Sequence, residues 1–587
     1  MKGGEFLINT ISPDDIFIPE DMNEEQKLLA KILEDFLRGE LEPRIKELEA
    51  KTEGLMVELL KKSAEVGFFG VDIPEQFGGM GLDNVSSLIV TEKASIGGPF
   101  ALANLVSTTF GALPILYFGS SEQKQRYLPD LANAKKIGAF ALTEPDAGTD
   151  ALNAKTVATL SEDGQYYILN GEKQFISNTG YADIFIIFAK LDGENFTAFI
   201  LDRDSEGLSF GQEEDKMGIH GTSTRSLILE NVRIPVDHLL FQIGKGHVVA
   251  FNTLNLGRYK LSGACLGMAK LAFKDSLQYS KNRMQFGQSI SNFGLIKEKI
   301  GEMAIRIFVG ESMVYRTSRL LEEGIKGIIK TANEVGFGLV SQIEEYATEC
   351  SINKVYASEM LDYVVDEAVQ IHGGYGYIRD YPVEQYYRDS RIYRIFGGTS
   401  EINRLLILRM LLKRAEKGQF PLENGIENVA SEIMPSAESY SQGKGLEDLG
   451  HLVDNAKKIV FLSLKAVFQA FSNSLEHHQE VIGMISNIII EVFAMESCLL
   501  RTQKINQKFG EENGEIPTNI SQVYILDAFM RVERWAKLIF AAIAEGDILR
   551  SQLSDLRMLT QYLPINSVGF RRRIADSMLK ARRYFIS

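Results

Sequence analysis

YYILNGEKQFIS (Tyr166–Ser177) and, shortly after it, ADIFIIFAK (182–190) decide the fold. Both stretches are rich in Ile, Phe and Tyr, and they alternate or run apolar over short lengths. They are bounded by the turn formers Asp163-Gly164, Asn170-Gly171 and Asp192-Gly193, which is the pattern of hairpins. The region from about Gly138 to about Val236 therefore reads as a β domain. On either side the apolar period is helical. Before it, Leu28, Leu29, Ile32, Leu33 and Phe36 recur at three- and four-residue steps. Helical segments then continue, broken by Gly, Pro and Ser. After it, the helical period returns at His247 and holds to about Lys413, with GRYKLSGACLGMAKLAFKDSLQYSKNRM (257–284) in the first long helix. Pro, Gly and Ser cluster around 420–445, and helical patterning resumes to the end, as in VERWAKLIFAAIAEGDILRSQL (532–553). The expectation is an α+β multidomain chain: an N-terminal helical domain over 1–137, a central β-barrel domain over 138–245, a helical bundle over 246–415 and an additional C-terminal helical domain over 430–587.

Composition narrows the function. The 587 residues carry 63 Lys+Arg against 78 Asp+Glu, a net charge of −15, the wrong sign for tracking phosphate backbones, so no nucleic acid partner is expected. Cys265, Cys350 and Cys498 are odd in number and far apart, which argues against a disulfide framework or a Cys-type zinc site and for a reducing compartment. The His477-His478 pair lacks a partnered carboxylate pattern, and no metal site is expected. MKGGEFLINTISPDD at the start has no basic region followed by an apolar one, so a cytoplasmic location is expected. The apolar stretches 459–471 and 485–495 are interrupted by Lys465, Gln469, Asn487 and Glu491, and no membrane-spanning helix is expected.

Taken singly, the glycine-bearing motifs say little. GGMG (78–81) follows no strand, and HGGYG (372–376) ends a long helical pattern, so both read as helix termination by residues that tolerate positive φ. AFALTEPDAGTD (139–150) reads as a loop at the helix-to-sheet change. NRMQFG (282–287) closes a helix with Arg283, either as an anion clamp or as a cation at a helix end.

In order, however, AFALTEPDAGTD, NGEKQFISN, KMGIHGTSTR, NRMQFGQSI, AVQIHGGYGY and YRDSRIYRIFGGTSEINRLLILR resemble the acyl-CoA dehydrogenase family over roughly 23–409. The long tail, with FNTLNLGRYKLSG and SNFGLIKEKIGEMA, is most similar to the very-long-chain branch and its bacterial relatives. The resemblance implies FAD-dependent α,β-dehydrogenation of a long-chain fatty acyl-CoA to trans-2-enoyl-CoA, as in fatty acid β-oxidation. A carboxylate takes the α proton, electrons pass to electron-transfer flavoprotein, and the chain is a homodimer. By the same resemblance Phe140, Leu142, Thr143, Phe175 and Ser177 touch the flavin, Thr149 and Arg258 face the acyl-CoA, and Thr399 and Glu401 line the cofactor. Arg283 and Phe286 reach the FAD of a neighbouring subunit, with Gln370, Gly373 and Gly374 near its diphosphate.

One departure bears on chemistry. The family's catalytic Glu before Gly-Thr is Gly397 here, and the alternative helix position used by some branches is Gly257. Glu401 is the nearest stand-in by sequence. The alternative is a catalytically silent scaffold that binds FAD and acyl-CoA without turnover, similar to a respiratory-complex assembly relative. The tail RRRIADSMLKARRYF (571–585) sets six cations against Asp576, for anionic lipid, a partner, or the chain's own acidic surface. The resemblance implies peripheral membrane contact through this C-terminal domain.

Overall fold

The computed structural model describes residues 2–329, 342–432 and 445–584. Its first helices are α1 (Glu24–Phe36), α2 (Leu55–Glu65), α3 (Asn84–Ala94), α4 (Pro99–Phe118) and α5 (Ser121–Ala132). Asn23 begins α1 by accepting from the Gln26 N–H at 2.8 Å, and Ser120 caps α5 through the Gln123 N–H.

Eight strands follow: β1 (Gly138–Ala141), β2 (Val157–Leu160), β3 (Tyr166–Ser177), β4 (Ile184–Leu191), β5 (Asn195–Asp202), β6 (Leu208–Phe210), β7 (Thr224–Pro235) and β8 (Leu239–Leu240). The expected barrel is one eight-stranded sheet of order β6-β7-β3-β2-β4-β5-β8, with β1 added parallel to β4. The period of two sorts β4 between two cores. Phe185, Ile187 and Ala189 join the sheet's own interior, while Ile184, Ile186 and Phe188 join a core shared with α4 and α5. Asp192-Gly193 is the β4–β5 turn and Asp163-Gly164 lies between β2 and β3. Asn170-Gly171 is not a hairpin turn. It is an irregularity inside the twelve-residue β3, where the register with β7 shifts and Asn170 exchanges hydrogen bonds with Asn231. A Cβ at Gly171 would fall 2.6 Å from the Thr156 hydroxyl, so the strand interior itself demands glycine there.

Beyond the sheet come α6 (Gly246–Asn282), the hairpin β9 (Met284–Gln285) and β10 (Gln288–Ser289), then α7 (Gly294–Ile329), α8 (Ala347–His372), α9 (Val383–Ser390) and α10 (Ser400–Glu416). The chain continues through α11 (Leu422–Glu432), α12 (Leu446–Phe471), α13 (Gln479–Phe509), α14 (Glu515–Ile543), α15 (Gly546–Leu559) and α16 (Ser567–Ala581). These last helices share a continuous apolar core with α6, α7 and α8. The first residues of the chain also belong to it. Phe6 meets the Phe493 ring edge-on at 4.9 Å, and the Gly3 and Gly4 N–H groups donate to Glu345 and Glu349.

α4 and α13 are long and apolar enough to cross a bilayer, but 83% and 72% of their most apolar windows are buried inside the protein. Their composition follows from that burial. The basic tail is partly spent within the fold: Arg571 pairs with Glu302 at 3.1 Å and with Asp527, and Lys297 meets Asp576 at 2.5 Å. Arg572, Arg573, Lys580, Arg582 and Arg583 are exposed.

One buried charge cluster ties the late helices to the earlier ones. Arg501 of α13 reaches Glu311 of α7 at 2.7 Å and Glu20 of the N-terminal arm at 2.6 Å. Glu311 also meets Lys270 of α6 and accepts from the Tyr584 hydroxyl. Burial alone would raise the Glu311 carboxyl, but Lys270 and Arg501 outweigh it and hold it at about 2. Arg501→Met takes the cation from Glu20 and one of two cations from Glu311. The expected loss is about 3–5 kcal/mol of unfolding free energy in a urea titration, and a loss under about 1 kcal/mol would show that the cluster does not join the two regions.

Candidate functional site

The turn between α9 and α10 is the centre of the site. Gly397 and Gly398 both hold left-handed backbone, φ +66° and +86°, a region glycine enters without steric cost. Two buried cations grip this turn from behind. Arg258 of α6, 7% exposed, donates through Nε to the Gly397 carbonyl at 3.0 Å and through a terminal nitrogen to Asn255 at 2.6 Å. Lys354 of α8, 1% exposed, donates from Nζ to the Gly398 carbonyl at 2.7 Å. Asn403 donates to that same carbonyl, and Thr399 caps α10 by accepting from the Ile402 N–H. Among the described residues neither Arg258 nor Lys354 forms an ion pair within 4.0 Å. Burial accordingly pushes Arg258 down to about 10 and Lys354 down to about 8.

The two glycines that stand where the family's carboxylate is expected differ in what surrounds them. Beyond its chain neighbours, a Cβ built on Gly397 would meet only the Leu261 Cδ1 within 4 Å, at 3.0 Å. A Cβ on Gly257 would fall 2.3 Å from Cζ of Phe110. Phe110 thus fills the recess at Gly257. Its ring lies 5.5 Å from that of Phe140 on β1, which in turn meets Phe188 at 5.1 Å. Gly111 and Gly138 approach so closely that a Cβ on either would come within 2.7 Å of the other's Cα, and Ser107 accepts from the Gly138 N–H. Phe140, Phe110, Gly257, Arg258 and Gly397 are therefore joined contact by contact around one turn of α6.

Glu401 sits exposed in the first turn of α10. Its own backbone N–H and the Thr399 hydroxyl, helped by Arg404 and Lys354, hold its carboxyl below the usual range. That environment keeps a carboxylate ionised and wet, the opposite of the dry surroundings that strengthen a base.

Leu142, Thr143, Phe175 and Ser177 line the sheet edge beside β1. The Leu142 carbonyl accepts from Lys173 and the Thr143 carbonyl from the Gln174 N–H at 2.9 Å. Phe175 has φ +59° and is 59% exposed, so a bulky side chain is held out to solvent in a conformation such residues rarely adopt. Thr149 lies exposed on the loop beyond. The base of this loop is fixed by Glu144, which meets buried Lys173 at 2.6 Å and accepts from the Thr156 hydroxyl and the Lys155 and Thr156 N–H groups.

A second group gathers at the far end of α6. Arg283, Gly373 and Gly374 line a cleft of about 470 Å³ together with Tyr279, His372 and Tyr375. Arg283 stands 5.5 Å over the Tyr375 ring, Gln370 is exposed on the last turn of α8, and Phe286 at the hairpin tip is 93% exposed. Nothing lies within 4 Å of a Cβ built on Gly373 or Gly374, so these glycines leave room for a ligand rather than for the protein's own packing. Arg258 and Arg283 are about 38 Å apart along α6 at 1.5 Å per residue.

Family models match in sequence across this frame: the acyl-CoA dehydrogenase N-terminal domain at 23–135, the middle domain at 139–232, and C-terminal domains at 244–412 and 455–558. A probable acyl-CoA dehydrogenase of Bacillus subtilis is 44% identical over 585 residues, covering 100% of this chain and 98% of its own. The mitochondrial very long-chain specific enzyme of Macaca fascicularis is 37% identical over 421 residues, 68% of this chain and 60% of its own. A crystal structure of an acyl-CoA dehydrogenase complexed with FAD from Bacillus anthracis superimposes with a TM-score of 0.96 at 45% identity, over the whole of both chains. The chain belongs to the acyl-CoA dehydrogenase family, a class of flavoprotein oxidoreductases, and its cofactor is FAD. The exposed Phe175 at the sheet edge suits a planar ring system, and the open glycines beside Arg283 suit a diphosphate.

Phe110, Lys354 and the Glu144–Lys173 pair escaped the sequence reading. For the two lysines the signal was a charge at odds with its surroundings: Lys354 within the apolar period of SINKVYASEM, and Lys173 at an inward position of β3; Phe110, an aromatic in an apolar stretch, gave none. If Phe110 is the plug of the Gly257 recess, Gly257→Ala costs about 1–3 kcal/mol from overpacking, and Phe110→Ala relieves most of that cost. Urea unfolding of the two single variants and the double variant then shows coupling above about 0.5 kcal/mol; additive values would place the ring elsewhere.

Proposed function

We propose that the chain oxidises a long-chain fatty acyl-CoA to the trans-2-enoyl-CoA and passes the electrons to electron-transfer flavoprotein, with Gly397 leaving the usual proton-abstracting position without a side chain. The observation that carries this reading is the meeting of Phe140, Phe110, Arg258 and the Gly397 turn around one turn of α6. Similarity to the very long-chain specific enzyme supports the substrate class.

Bound FAD supplies the acceptor for the β hydrogen and its electron pair. The chain's own residues do the rest. Phe110, Phe140 and Phe188 make an apolar wall that keeps water from the reacting carbons, which strengthens every electrostatic interaction there. Arg258 and Lys354 fix the turn and set a positive field beside it, favouring the negative charge that develops on the thioester as the α proton leaves. The 38 Å reach of α6 leads us to assign Arg283, Phe286, Gln370, Gly373 and Gly374 to the cofactor of a second copy, making the working unit a homodimer. Thr149 is assigned to the CoA portion, and the exposed tail cations to peripheral membrane contact.

A second reading, a chain that binds FAD and acyl-CoA without oxidising, is favoured by the absence of a side chain at both Gly397 and Gly257 and by the solvated, ionised state of Glu401. Anaerobic mixing of the holoenzyme with palmitoyl-CoA separates the two. Bleaching of the flavin's visible band within seconds supports the dehydrogenase, whereas a spectral shift without bleaching supports the binder. Gly397→Glu is expected to bleach at least ~10²-fold faster, while the left-handed backbone makes the variant less stable by about 1–2 kcal/mol. An unchanged rate would mean that the turn does not face the α carbon.

A further inference from the structure

We propose that the first part of the N-terminal arm, residues 2–11, is a strap across the seam between the helical bundle and the C-terminal helices, latched while Glu349 carries a proton. Glu349, on the first turn of α8, is 0% exposed, and the strap itself covers it. Its Oε1 accepts from the Gly4 N–H at 2.7 Å. Its Oε2 has no hydrogen-bond partner among the described residues and lies 3.5 Å from where a Cβ on Gly3 would stand. The Gly3-Gly4 pair thus lies flat over both oxygens, and only glycine fits there. A Cβ on Gly3 would fall 1.9 Å from the Glu345 carbonyl oxygen, and one on Gly4, at φ +79°, would fall 2.6 Å from a Leu411 methyl. Beyond the glycines the strap buries Phe6 and Leu7, Phe6 meets Phe493 of α13, and Lys457 of α12 donates to the Asn9 carbonyl. What Glu349 holds or releases is therefore the seating of α12 and α13. The strap also crosses the two helices that fix the Gly397 turn, since Glu349 shares α8 with Lys354 and Leu411 shares α10 with Asn403.

The charges around Glu349 are committed elsewhere. Arg414 of α10 pairs with Glu345 at 2.6 Å, and Arg316 of α7 pairs with Glu496 of α13 at 2.7 Å. Lys2 of the strap is exposed, and the other titratable groups at this end of α8, Glu5 of the strap, Tyr346 and Cys350, are not cations. Burial accordingly outweighs the Gly4 N–H and the two guanidinium groups and pushes the carboxyl up to about 7. With the strap down, the neutral carboxyl is the favoured form. Lifting the strap lets water in and returns the group toward its ordinary 4.5, so a rise in pH between those two values favours lifting. Above the higher value the group is ionised in both states, and the effect levels off.

The test follows amide hydrogen exchange of the full-length holoenzyme by mass spectrometry at pH 6 and pH 8, each rate being divided by its intrinsic chemical rate. Amides of the strap are expected to open ~10-fold more often at pH 8 than at pH 6, with no such rise in α6. Glu349→Gln keeps the shape and never ionises, so it holds the strap down and leaves a change below ~2-fold. Gly3→Ala props the strap off the carboxyl and gives fast exchange at both values. A native strap whose opening does not depend on pH overturns the proposal. So does a Glu349→Gln variant that keeps the full native rise. If Glu349→Gln does not fold, Gly3→Ala decides in its place, and a native-sized rise in that variant overturns the proposal equally.

Discussion

Two buried cations donating to two consecutive backbone carbonyls hold the site together. Removing a charge from water costs several kcal/mol even after relaxation, and carbonyl dipoles recover only part of it, which is why burial moves both Arg258 and Lys354 below their ordinary ranges. In a chain of net charge −15 a turn backed by two buried cations is not a reflection of composition. It is set locally, by α6 and α8 crossing behind a turn that only glycine enters without strain.

The rest of the scaffold serves to keep α6 in place. That helix carries Arg258 near its start, Lys270 in the middle and, at its C-terminus, Arg283, three positions with three tasks. Lys270 ties it to Glu92 of α3 and to the cluster in which Glu311, Arg501 and Glu20 meet. The late helices are thereby joined to the same rod that carries the site. The N-terminal arm closes the arrangement from outside, with Lys504 donating to the Ile16 carbonyl and Lys457 to that of Asn9.

How much of this was legible follows from which interactions are local. The β domain was readable because β3 and β4 alternate with a period of two, and the helical flanks because their apolar steps repeat every three or four residues. Asn170-Gly171 misled because the dipeptide that makes a hairpin turn also makes a bulge, and only the pairing of β3 with β7 decides between them. The tail was expected as a separate domain or appendage; that its helices bury their faces on α7 and α10 was not legible, because those contacts join residues far apart in the chain. The candidate site divides in the same way. Gly397 and Gly257 were visible as missing carboxylates. That Phe110 fills one recess and leaves the other open depends on a contact across some 147 positions of chain, which no local pattern encodes.

The central claim is that the Gly397 turn faces the carbon that loses its proton. A crystal structure of the chain with FAD and an unreactive long-chain 3-thia-acyl-CoA tests it directly. The account places the thioester α carbon opposite the Gly397 Cα, within reach of the glutamate side chain that is missing there, with Phe110 at its flank. An α carbon lodged elsewhere, with the turn sealed off from the ligand, would contradict it.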